Sequence, residues 1–133
     1  MNREIKFRGK RLDNGEWVYG AYFNMHHNDE REHIHHFIIP DGTDISIGTP
    51  IEKIQVEVDP DTVGQYTGIK DRNGREVYEG DIVHYTEAND EIATKEVCFV
   101  DAAFNPITEI MWMGDMECEV IGNIHEQGKE AKV

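Results

Sequence analysis

The apolar residues of this chain recur mostly at every second position. "IKFRGKRL" sets Ile5 and Phe7 against Lys6 and Arg8, and "EWVYGAYF" continues the alternation after Asn14-Gly15. A period of two puts alternate side chains on opposite faces of a strand. Asn-Gly between two such runs favours a tight reversal, because a type I′ turn needs positive φ at both central residues. The pattern predicts a hairpin over 5–12 and 16–24. "NMHHNDEREHIHH", 24–36, breaks the alternation and reads as a polar loop leading into a strand "HFIIP" that Pro40 ends. Asp41-Gly42 starts a turn, and "IQVEV", 54–58, is a further strand.

"DPDT", 59–62, is a turn and the best candidate boundary. Beyond it "VGQYTGI" and "EVYEGDIVHYT" flank Asn73-Gly74, a second hairpin signal. "KEVCFV", "TEIMWM" and "CEVIGNI" add short strands. This spacing suggests a small barrel or sandwich. No segment carries the 3.6-residue period of a long helix. "RLDNGEWVYG" echoes "KDRNGREVYEG", but two hairpins with like turn chemistry account for that without a true repeat.

The stretch from Thr67 to Tyr85 also invites chemical readings. Asp71 and Asn73 have the first spacing of a calcium loop, but Gly74 comes too early and the flanks are strand-like. A phosphate loop needs a Gly-Lys-Ser/Thr end opening a helix, which is missing. The turn reading stands, with Gly80 and Asp81 shaping a second bend or bulge.

"VGQYTGIKDRNGREVYEGDIV", with "REIKFRG" near the start and "EVIGNIHE" near the end, resembles the YopX-like proteins of bacteriophages and prophages. The match runs in order from about Arg3 to Glu126. The histidine-rich stretch from His26 to His36 falls outside the resemblance, as does His125, where the family often has an aromatic. The resemblance implies an all-β protein with an SH3-like β-barrel in its C-terminal half. It implies a phage-derived gene acting in a bacterial cytoplasm, and no particular activity. The resulting division is 1–59, an N-terminal β region with a His-rich loop, and 60–133, the small barrel, unless the two integrate into one domain.

Composition narrows the function classes. With 133 residues, 38% hydrophobic and 30% charged, the chain suits a soluble globular protein. Small β domains are marginal alone, so a homo-oligomer is expected. A net charge of -14 repels phosphates and anionic lipid, which disfavours direct nucleic-acid and membrane binding. "MNREIKFRGKRL" lacks the apolar run of a signal peptide, and Cys98 and Cys118 read as free thiols; both point to the cytoplasm.

Candidate chemistry is sparse. His33 and His35 would share a strand face and could ligate zinc or nickel, with Asp29, Glu30 and Glu32 nearby. Structural zinc sites usually bring cysteines or a wider pair, so an adventitious metal-binding loop is the better reading. Glu79 and Asp81 flank Gly80, but turn carboxylates more often hold backbone amides than act as an acid–base pair. Ser46 is the sole serine and lacks a nucleophile motif. Lys6, Arg8 and Lys10 form a basic stripe that fits carboxylates of a neighbouring strand or subunit. Trp17, Tyr19, Tyr22, Phe23, Tyr66 and Trp112 fit core packing unless exposed rings grip a peptide.

No catalytic, cofactor-binding or metal residue is therefore assigned, and the chain is not read as an enzyme. The expectation is an accessory protein that binds a host or phage protein. The alternatives are an acidic mimic of nucleic acid that inhibits a host DNA-binding enzyme, and a metal enzyme built on His26–His36.

Overall fold

Strands dominate the computed structural model, which describes residues 4–27, 30–44, 48–87, 90–100, 103–107 and 118–126, with the backbone alone at 27 and 30–33. The chain divides into two compact units, one of Glu4–Gln65 and one formed mainly by Tyr66–Val133. The complete helical elements among the described residues are two 3-10 turns, Ile51–Lys53 and Pro60–Thr62. No helix among them is long and apolar enough to cross a membrane.

The N-terminal unit is one antiparallel sheet. Strand β1 (Phe7–Lys10) pairs with β2 (Trp17–His27), β2 with β3 (Glu30–Pro40), and β3 with the short β4 (Val56–Glu57). On its other edge β1 pairs with the first two residues of β5 (Gly64–Lys70), through Phe7↔Gln65 and Arg8↔Gly64. Val18, Ile38 and Val58 form the core, with Phe7, Tyr22, Val56 and Val63 packed against them. The Asp59–Thr62 turn is tied to β1, because the Lys10 N–H donates to Thr62 Oγ1 at 2.8 Å. Gly20 has a definite reason to be glycine: a Cβ there would lie 1.9 Å from the Ile39 carbonyl oxygen.

The first hairpin lies where the Asn-Gly signal puts it, but its turn is of another type. Only Gly15, at φ 74°, takes positive φ in that turn. Arg11 N–H donates to the Glu16 carbonyl and Gly15 N–H to the Arg11 carbonyl, which closes a four-residue loop. The Asn14 side chain accepts from Glu16 N–H at 2.9 Å, so asparagine serves by its amide rather than by a left-handed backbone.

The largest correction falls on 24–36. The expected polar His-rich loop is the end of β2 and most of β3. Eleven-residue strands pair from Gly20↔Pro40 to His26↔Ile34, with a bulge at His26/His27. The polar composition misleads because this part of the hairpin extends past β1, whose pairing with β2 ends at Phe7↔Gly20. A ribbon wet on both faces has no need of apolar alternation.

The second unit is built from β6 (Glu76–Tyr78), β7 (Asp81–Thr86), β8 (Ile92–Glu96), β9 (Cys98–Val100), β10 (Ala103–Asn105) and β11 (Glu119–Asn123), with the Tyr66–Lys70 part of β5. β7 is the centre of a sheet ordered β11-β7-β8, β9 and β10 form a separate ribbon, and β5 pairs with β6. Val77, Val83, Tyr85, Ala93, Val97, Ile107, Cys118 and Val120 fill its core. Among the described residues these sheets do not close on themselves into the expected SH3-like barrel. "KEVCFV" is split at Val97, whose N–H donates to the Asp81 carbonyl while its own carbonyl accepts from Gly80 N–H. "TEIMWM" lies outside the described residues.

Asp71 organises the second Asn-Gly turn. Its Oδ1 accepts from the N–H groups of Asn73 and Arg75, both at 2.9 Å, and its Oδ2 from Val120 N–H at 3.0 Å. One carboxylate thus ties a turn to β11, 49 residues away. Burial pushes its pKa up, but the three amides and the nearby Arg75 charge outweigh that, and its pKa lies below the ordinary value of 3.8.

Candidate functional site

The β2–β3 hairpin carries a distinctive cleft. Strand alternation sends Phe23 and Met25 of β2 to the same face as His35 and Phe37 of β3, since Phe23↔Phe37 and Met25↔His35 are cross-strand partners. Glu57 joins them opposite Phe37, and Gln55 precedes it by two residues. Met25, His26, His35, Phe37, Gln55 and Glu57 line a cleft of about 330 Å3. His35 Nδ1 donates to Glu57 Oε2 at 2.8 Å. The His35 and Phe37 rings lie 6.3 Å apart at 20°, and Phe23 and Phe37 5.3 Å apart at 26°. On the opposite face His36 Nδ1 meets the Tyr22 hydroxyl at 2.6 Å, and Asn24 donates to the same hydroxyl at 3.3 Å.

The histidines are therefore dispersed. His35 and His36 occupy opposite faces of β3, and His26 is exposed at the cleft. The side chain of His33, half of the expected ligand pair, lies outside the described residues. Among the described residues no three His, Cys, Asp or Glu side chains come together as a metal-ligand set.

The second cleft, of about 210 Å3, is lined by Arg72, His84, Tyr85, Thr86, Ile92 and Glu119. His84 sits between Thr94 of β8 and Glu119 of β11 in register. Thr94 Oγ1 and His84 Nδ1 are 2.6 Å apart. No hydrogen bond among the described residues joins Glu119 to His84, so the row is not a relay. This row leaves no local sign in the sequence, because its members come from three strands.

Other candidates resolve into structure. Asp81 is not in a wet turn beside Glu79: it is fully buried, and its Oδ2 accepts from Tyr78 N–H at 2.8 Å. Lys6 meets Glu4 at 3.4 Å and Asp41 at 3.5 Å, as a basic strand beside carboxylates should. Arg8 and Lys10 instead stand over the Trp17 ring, at 4.5 and 5.4 Å from its centre. Tyr66 is buried, Tyr22 and Phe23 are half-buried, and Tyr19 is exposed. Cys98 is half-buried and Cys118 fully buried, both as free thiols. Ser46 and Trp112 lie outside the described residues.

Exposed apolar side chains mark the hairpin more than any polar constellation does. Tyr19, Met25 and Ile34 are 40%, 42% and 47% exposed. Past Gly20, β2 has no strand partner on its outer edge among the described residues.

Comparison with known proteins agrees with this all-β description. A protein from Enterococcus faecalis, EF1440, has a crystal structure similar to this one, with a TM-score of 0.55 and 24% identity, covering 96% of this chain and 98% of that one. That likeness extends to the fold. No curated protein matches the chain. The family described as YopX protein matches residues 6–129, nearly the whole length, and the chain belongs to it.

Proposed function

We propose that this chain is a phage- or prophage-encoded accessory protein that acts in the bacterial cytoplasm by binding a host or phage protein, without catalysis of its own. The observation that carries the reading is the β2–β3 arm. A two-stranded ribbon is marginally stable alone, and edges left open to water are usually guarded by charge or proline. Here β2, Trp17–His27, contains no Asp, Glu, Lys, Arg or Pro, in a chain that is 30% charged. Met25 and Ile34 project from opposite faces of that arm and are exposed. An uncharged edge with apolar side chains on both faces suits a surface covered by another protein.

The test is capture from bacterial lysate with wild type and with a Met25→Asp/Ile34→Asp variant, after far-UV circular dichroism shows both folded. A stoichiometric partner lost with the variant supports the reading. Equal capture by both proteins, or none by either, overturns it.

A further inference from the structure

At the hairpin cleft one enclosed acceptor has no donor among the described residues. Gln55 Oε1 is enclosed, and the Gln55 side chain makes no hydrogen bond among the described residues. A buried carbonyl oxygen without a donor is costly, so such an atom marks a place where a donor is expected. Two residues on, Glu57 is 40% exposed at its side chain and uses one oxygen for His35, while the other makes no hydrogen bond among the described residues. Beside them lie the His35 ring, 32% exposed at its side chain, and the buried Phe37 ring at 20° to it, with Met25 lining the same cleft.

These features ask for one kind of group. It must be flat to lie against the His35 ring, rich in donors for Gln55 and Glu57, and positively charged for the carboxylate. A guanidinium meets all three demands: it is planar, has five N–H donors and no acceptor, and is weakly hydrated. An ammonium lacks the flat face and holds its water more tightly. The net charge of -14 adds long-range attraction for a cationic partner. We propose that this cleft receives an arginine side chain presented by the partner protein. The inference rests on the protein-binding reading and names the chemistry that the arm recognises.

The test uses small probes on the full chain. N-acetyl-arginine amide, its citrulline analogue and N-acetyl-lysine amide are titrated while the Met25 methyl signal is followed by NMR with labelled methionine. Arginine should shift that signal saturably in the millimolar range, and the neutral citrulline analogue should bind at least about tenfold more weakly. Glu57→Gln should weaken arginine binding by about tenfold, and Gln55→Met, which keeps the length and loses the acceptor, by roughly threefold or more. Should Glu57→Gln fail to fold, Gln55→Met and the probe series carry the test. No saturable shift with arginine, or equal binding of arginine and citrulline, overturns the proposal. Arginine binding without any captured partner would sink the protein-binding reading alone; capture without arginine binding would sink the cleft alone.

Discussion

Replacing Asp71 should cost the second unit more than any surface substitution. Its carboxylate accepts three backbone N–H groups, and hydrogen bonds to a charged group contribute about 1.5–3 kcal/mol each. They are not additive here. Asn73 and Arg75 are exposed, so water can replace part of what their amides lose, whereas Val120 is 7% exposed and its N–H would be left dry. Asp71→Ala should therefore lose about 3–5 kcal/mol in urea unfolding. Asp71→Asn keeps an acceptor for the turn but can set an NH2 against Val120 N–H, and should lose about 2–3 kcal/mol. The folded-state pKa lies below 3.8, so the carboxylate's stabilisation is complete above the unfolded-state value and fades as pH falls through the depressed folded one. The gap between wild type and Asp71→Asn should accordingly be constant near neutrality and shrink in acid. An asparagine variant within about 0.5 kcal/mol of wild type would refute the three-amide account. A gap unchanged in acid would refute the pKa direction.

Further outcomes can be checked by ordinary means. Gly20→Ala drives a methyl to 1.9 Å from the Ile39 carbonyl, and should destabilise the β2–β3 pairing by roughly 3 kcal/mol in chemical denaturation. Ile38→Ala removes a fully buried side chain from the first core and should lose about 2–5 kcal/mol by the same assay. Burial, and then the Glu96 charge, push the Cys98 thiol up. Alkylation of Cys98 should therefore be slower than that of a free thiol near neutral pH and quicken as pH rises, while Cys118, 1% exposed, should react only on unfolding.

Local turn chemistry made both hairpins readable. Gly15 and Gly74 have positive φ, and the alternation around them sets the strands. In each case the exact turn differed, because asparagine or aspartate side chains bonded backbone amides and removed the need for a second positive φ. The arm is hidden in the sequence for the opposite reason. "NMHHNDEREHIHH" lacks the alternation of a half-buried strand, and its strand character comes from pairing across the hairpin. Asp71 resembled a failed calcium ligand, since its partner Val120 is far along the chain. The cleft was equally hidden: His35 and Glu57 lie 22 residues apart and meet only through the β3–β4 register. Sequence identified the histidines but not their dispersal to opposite faces.

The arm's role in binding is the central claim, and hydrogen–deuterium exchange tests it most directly. Exchange would be followed in peptides covering 17–27 and 34–40, with the protein free and in complex with its captured partner. The account predicts slowed exchange over 21–27 of β2, whose outer edge has no strand partner among the described residues, and over His35–Phe37 beside the cleft. Protection confined to β7, β8 and β11, with the arm exchanging as in the free protein, would contradict it.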